Sequence, residues 1–210
     1  MSVAEQVVVV RERIAAAAAR AGRDAATVTL VAATKTVSPE RVAEVIAAGV
    51  PDVGENRAQE LLAKSAVEGA HWHFLGQLQR NKVRALAPWV GCWQSVDRAS
   101  LGLEIAQRAP GARVLVQVNV GEEPQKGGCP PAEVPRLVDT LSRAGLDVAG
   151  LMTVPPHDGE PRRWFAGLRE LAHDLGLTEL SMGMTEDYDV AVEEGATLVR
   201  VGRAIFGARQ

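Results

Sequence analysis

The sequence predicts a (β/α)8 barrel preceded by one extra helix, and three observations predict it. Eight short runs rich in β-branched or apolar residues recur along the chain, segments of helical periodicity separate them, and no dinucleotide-binding glycine fingerprint follows the first run. The runs are Val28 to Lys35, Asp52 to Asn56, His71 to Gly76, Cys92 to Asp97, Arg113 to Gly121, Asp147 to Pro155, Glu179 to Thr185 and Thr197 to Gly202. At 210 residues the chain lies just above the lower bound of about 200 for such barrels. A doubly wound open sheet is the alternative. It would carry GxGxxG after its first strand, whereas the loop here reads Thr34-Lys35-Thr36-Val37, with no glycine to admit a pyrophosphate.

The extra helix comes first. Val3, Val7, Val10, Ile14, Ala17, Ala18 and Ala21 recur at helical spacing until Gly22. After the first strand, Ser38 and Pro39 form an N-cap and first turn, followed by Val42, Val45 and Ile46 on one face before Gly49. Later stripes able to cover a sheet are Leu61, Leu62 and Ala66; Val134, Leu137, Val138 and Leu141; and Phe165, Leu168, Leu171, Ala172 and Leu175. No linker or low-complexity stretch interrupts the series, so residues 1–210 are expected to form one domain.

Composition narrows the function classes. The chain is 47% hydrophobic, enough for a full core, and its 23 Lys+Arg against 26 Asp+Glu leave a net charge of −3. That balance provides no general basic field for nucleic acid or anionic membrane. The two cysteines, Cys92 and Cys129, have neither CxxC nor paired spacing, which argues against a disulfide framework or a thiolate zinc site and fits a reducing cytoplasm. The apolar run Val7 to Val10 is stopped by Arg11-Glu12-Arg13, too soon for a signal-peptide core or a membrane span. A cytoplasmic protein is expected.

Barrel enzymes carry their sites at the carboxyl ends of the strands. Here those ends bear Lys35, Glu55 with Asn56, His73, Asn119, Thr153, Ser181 with Thr185, and Arg200 with Gly202, all expected at one mouth. Lys35 closes an apolar run, where a lysine is costly to bury unless neutral or paired. It is either a rim lysine reaching into solvent or a Schiff-base amine, for which pyridoxal phosphate is the commonest aldehyde. A phosphate would suit the loops after strands seven and eight: Ser181-Met182-Gly183-Met184-Thr185 offers hydroxyls and a glycine, and Gly202-Arg203 offers close backbone approach beside a cation. Strand alternation sends Arg200 inward if Val199 and Val201 face the helices. Such an arginine either pairs with Glu55 or donates to the pyridine nitrogen of a cofactor, which would weaken the ring as an electron sink.

These residues carry a resemblance to a known family. Ala33-Thr34-Lys35-Thr36-Val37, Gly54-Glu55-Asn56-Arg57-Ala58-Gln59-Glu60, Trp72-His73-Phe74-Leu75-Gly76, Leu78-Gln79-Arg80-Asn81-Lys82, Gly150-Leu151-Met152, Ser181 to Thr185 and Val199 to Gly207 together resemble the pyridoxal phosphate homeostasis proteins, the proline synthetase co-transcribed family. The resemblance implies the alanine racemase type of barrel, fold type III of pyridoxal phosphate proteins, with Lys35 holding the cofactor as an internal aldimine. It further implies phosphate contacts from Thr185, Gly202 and Arg203, a ring-nitrogen contact from Arg200 and a ring-lining Asn56; Ser181 and Met184 complete the expected cofactor-binding set. Thr185 stands where serine is more usual and Arg203 where many members have threonine. Lys126 resembles a second lysine of the family; read by itself it is a solvated loop residue.

The family is similar to a set of cofactor carriers acting in vitamin B6 and amino-acid balance, with apo-enzymes as recipients of the cofactor and no known turnover reaction. A monomer is expected, since no oligomer seam is readable. The alternative is a small racemase or decarboxylase. A two-base racemase needs an acid/base group on each face of the ring, and the only tyrosine, Tyr188, is expected to begin the helix after strand seven rather than face Lys35. A metal-dependent hydrolase rests only on His71 and His73, two apart on one strand, with His157 and His173 the only other histidines; no metal is expected.

Overall fold

The computed structural model describes residues 1–156 and 160–207, so His157 and the last three residues lie outside it. The eight expected strands all form: Thr29–Ala33 (β1), Asp52–Glu55 (β2), His71–Phe74 (β3), Val90–Val96 (β4), Arg113–Val118 (β5), Asp147–Thr153 (β6), Glu179–Ser181 (β7) and Leu198–Val201 (β8). All are parallel, each pairs with the next in sequence, and β8 closes on β1 through Thr29↔Leu198 to Ala32↔Val201. Pro39–Ala47 (α2), Ala58–Lys64 (α3), Arg80–Leu86 (α4), Ala99–Arg108 (α5), Val134–Arg143 (α6), Pro161–Asp174 (α7), Tyr188–Glu193 (α8) and Arg203–Phe206 (α9) follow the strands in turn.

Helix α1, Val3–Arg20, begins in a capping box in which the Glu5 amide donates to Ser2 Oγ and the Ser2 amide donates to Glu5. Its apolar stripe packs against α2, α8 and α9. The physical reason is local. The helix after β8 has only four residues, too few to cover the seam where the barrel closes, and α1 supplies the missing apolar face. Arg13 and Arg20 then fix α1 to α8 through Asp189 and Glu193.

Two layers of side chains follow from strand alternation. Val199 and Val201 join the core between sheet and helices, as expected, while Arg200 faces the lumen. The lumen is apolar at Cys92, Leu115 and Met152 and polar around His73, Gln94, Ser181 and Arg200. Both cysteines are buried and free, and burial pushes the thiols up to about 12 for Cys92 and about 11 for Cys129, so neither is a nucleophile at neutral pH.

One helix departs from its expected stripe. On α3, Leu61 is buried but Leu62 is exposed, as is Ala66 just past the helix end, and the second inward position is Lys64, 5% exposed. A lysine occupies that place because Glu55, wholly buried at the end of β2, meets its ammonium at 2.6 Å.

Glycine at 150 is required by close approach rather than by conformation. A Cβ there would lie 1.9 Å from the carbonyl oxygen of Glu179 on the neighbouring strand. Gly150→Ala is therefore expected to part β6 from the three-residue β7 and to lower stability by about 3 kcal/mol, read as a reduced urea midpoint.

Candidate functional site

The turn after β1 is braced from both flanks. The Thr34 amide donates to the Gly54 carbonyl at 2.9 Å, and its hydroxyl donates to Glu55 at 2.7 Å. Lys64 Nζ donates both to the Thr34 carbonyl at 2.8 Å and to Glu55. On the far side of the turn the Thr36 amide donates to Glu60 at 2.7 Å, and Thr36 itself takes a left-handed φ of 63°. A threonine in that conformation is strained, and it is held there by contacts on both flanks. Between these anchors stands Lys35. The strand ends at Ala33, two residues earlier than the apolar run suggests, so Lys35 is exposed on the turn and not embedded in the strand.

Lys35 lines a cavity of about 310 Å³ together with Ala33, Thr36, Ser38, Arg41, Gly202 and Arg203. Gly202 closes β8 and precedes α9, and a Cβ there would come within 3.0 Å of the Ala33 carbonyl oxygen. A side chain at 202 would thus crowd the wall the cavity shares with β1. Arg203 is steadied by Glu186 at 2.7 Å, one residue past Thr185, which ties the loop after β7 to the turn after β8. That loop is shaped by Gly183, with φ 89°, and by a bond from the Met184 amide to Asp187 at 2.7 Å. Desolvation pushes the Asp187 carboxyl up, opposed by the Met184 bond and by Arg200.

Arg200 is 5% exposed within the barrel. Its Nη1 donates to Ser181 Oγ and its Nη2 to the Thr153 carbonyl, each at 2.7 Å. Burial lowers its pKa to about 10, which leaves it a cation at neutral pH. The expected alternative, pairing with Glu55, does not occur. Glu55 sits on the outward side of β2, where Lys64 and Thr34 occupy it.

Not all the expected strand-end groups reach the mouth. His73 lies inside the barrel, its Nε2 3.0 Å from Asp52 and its Nδ1 2.7 Å from Gln94. Ser181 is fully buried, its hydroxyl shared between Arg200 and Gln94. The Thr153 hydroxyl is spent on the Val118 carbonyl, and Asn119 closes its own loop onto Glu123. Asn56 lines a neighbouring cavity of about 530 Å³ over β2 to β4, with Arg57, Gln77 and Lys82. Lys126 is not a solvated loop residue: it is held by Glu123 at 2.6 Å and by the Pro155 carbonyl at 2.9 Å. Tyr188 does begin α8, and it is fully buried with Arg13 stacked 4.7 Å from its ring centre.

Arg41 is the cavity residue that sequence reasoning missed. It stands in the first turn of α2, where a cation opposes the helix dipole. That misplacement is the one signal that marks it in advance. Its guanidinium lies 5.5 Å from the Phe206 ring centre, on the α9 side of the cavity. With Lys35 and Arg203 it makes the cavity strongly electropositive.

The chain is similar to known proteins along nearly its whole length. Residues 9–210 match the family described as alanine racemase, N-terminal domain. A curated protein of Pseudomonas aeruginosa named pyridoxal phosphate homeostasis protein is 42% identical over 99% of this chain and 96% of its own length. The chain belongs to that family. A member from Aquifex aeolicus with the same name is 43% identical over the full length of both chains. The solved structure of the Synechococcus elongatus member PipY with pyridoxal phosphate bound superposes with a TM-score of 0.86 at 32% identity, covering 98% of this chain and all of that one. These relatives are named for homeostasis and not for a catalysed reaction. None of the described helices is long and apolar enough to cross a membrane.

Proposed function

We propose that this protein is a pyridoxal phosphate carrier that serves the cell's cofactor balance without turnover of its own. The observation that carries the reading is one cavity that Lys35, on its braced turn, lines together with the Gly202-Arg203 turn from the opposite end of the chain. The cofactor supplies an aldehyde able to condense with an amine and a phosphate dianion. The residues present fit both: Lys35 for the aldehyde, and Arg41, Arg203 and the uncrowded Gly202 backbone for the phosphate. Met184 and Thr185 stand on the loop that Glu186 ties to Arg203, and the reading assigns them to the cofactor from there. Arg200, a permanent cation at working pH, suits the ring nitrogen and disfavours its protonation. Asn56 lines the neighbouring cavity at the end of β2, and the reading assigns it to the edge of the ring from there.

The carrier reading is favoured over a racemase or decarboxylase by the make-up of the cavity wall. Among the described residues its ionisable groups are one amine and two guanidinium groups, Lys35, Arg41 and Arg203, and Tyr188 is buried beneath Arg13. Two-base proton transfer needs a second group that titrates near neutrality. Recipients of the cofactor are apo-enzymes that use it, and the site of action is the cytoplasm.

The test is reconstitution of the purified protein with pyridoxal phosphate, borohydride reduction and peptide mapping. A single reduced adduct on the peptide containing Lys35 is expected. Adducts spread over surface lysines, or none, would overturn the assignment. Hydrogen exchange at the α-carbon of a panel of amino acids separates the two readings: no exchange is expected, and exchange lost in Lys35→Ala would make the protein an enzyme.

A further inference from the structure

Arg200 is the first member of a chain of hydrogen bonds that runs through the barrel. Ser181 Oγ, which accepts from Arg200 Nη1, lies 2.6 Å from Gln94 Oε1; Gln94 Nε2 lies 2.7 Å from His73 Nδ1; and His73 Nε2 lies 3.0 Å from Asp52 Oδ1. Ser181 and Gln94 stand on β7 and β4, which are not neighbours, so their contact crosses the lumen. Arg200, Ser181 and Gln94 are 5%, 0% and 0% exposed. Among the described residues the chain ends only at Asp52, near the opposite mouth, where His71, Cys92, Arg113 and Glu179 line a cavity of about 330 Å³.

Proton chemistry gives the chain one direction. A guanidinium only donates, so Ser181 accepts from Arg200 and must pass its own proton to a carbonyl, which orients Gln94 with Oε1 toward Ser181. The Gln94 amide then donates to His73 Nδ1, which leaves the imidazole proton on Nε2, facing the Asp52 carboxylate. Every donor in the series has one acceptor, and reversing any member leaves two donors or two acceptors facing each other in a desolvated interior.

We propose that Ser181, Gln94 and His73 are positioning residues that hold the Arg200 guanidinium against the carboxyl ends of β6 and β7, so that its other N–H groups are presented to the ring nitrogen of the cofactor. Both groups that bind it directly, Ser181 and the Thr153 carbonyl, are the last residues of their strands, which sets the guanidinium just beneath the mouth. This rests on the carrier reading above. A hydroxyl beside an arginine would serve as well alone if packing were the only need; the buried amide and imidazole are explained by the need to fix which way that hydroxyl points.

The experiment compares Ser181→Cys, Gln94→Leu, their double variant and His73→Gln, each loaded with pyridoxal phosphate. The absorbance maximum of the bound cofactor and its dissociation rate are followed. Ser181→Cys, nearly isosteric, and Gln94→Leu are each expected to move the maximum and to speed dissociation by about tenfold. The double variant is expected to be no faster than the faster single, because both break one chain. His73→Gln retains an acceptor and a donor in series and is expected to keep the wild-type spectrum. Singles with unchanged maxima and rates within twofold of wild type, or losses that multiply in the double variant, would overturn the relay. If Gln94→Leu does not fold, Ser181→Cys alone decides on spectrum and rate. Failure of the wild type to be labelled at Lys35 is a different result, and it rejects the carrier assignment instead.

Discussion

Lys64→Met is expected to lower the unfolding free energy by about 3–5 kcal/mol, because it strands the wholly buried Glu55 carboxylate without its cation. The same substitution removes the donor to the Thr34 carbonyl, one of the anchors of the turn that carries Lys35. Urea unfolding followed by circular dichroism reads the first effect, as a lower midpoint with an unchanged slope. Cofactor affinity reads the second, and should fall together with stability. The double variant Glu55→Leu/Lys64→Met provides the control. It removes both charges while Thr34 Oγ keeps the Gly54 carbonyl at 3.1 Å as an acceptor, so it should recover more than half of the loss. A single variant within about 1 kcal/mol of wild type would show that the pair does not hold the turn.

Lys35→Ala should have the opposite profile: complete loss of the reducible adduct with almost no change in stability. Lys35 is exposed on its turn, and truncation of an exposed side chain should move the unfolding free energy by no more than about 0.5 kcal/mol. Lys35→Arg keeps the positive charge but supplies no nucleophilic amine, and it should lose the adduct equally while retaining more of the phosphate attraction. The mass of the borohydride-reduced protein measures the adduct directly. An adduct of wild-type stoichiometry in Lys35→Ala would place the attachment on another lysine, with Lys82 and Lys126 the first to map.

These two results separate what a lysine does by where it stands. Lys64 was hidden in the sequence within a helix whose expected apolar stripe ran through Leu62 and Ala66. Nothing local says that a lysine would be drawn inward, because the reason, Glu55, is on another element. Lys35 was visible because it follows an apolar run, yet the run ended before it, and the residue is a turn residue held by its neighbours. Arg41 left only the faint mark of a cation at a helix start. Of the polar lumen only the inward aim of Arg200 was marked, since His73, Gln94 and Ser181 lie far from it in sequence and meet it only when the sheet closes.

What the chain determined unaided was the order and identity of its strands, the inward aim of Arg200 and the motifs of its family. Strand periodicity, turn residues and contiguous motifs are properties of neighbours along the backbone. Tertiary structure alone decided which polar groups share a cavity, which charges neutralise one another and which histidine nitrogen carries the proton. Those outcomes depend on the register and closure of eight strands, which bring together side chains that no local rule connects.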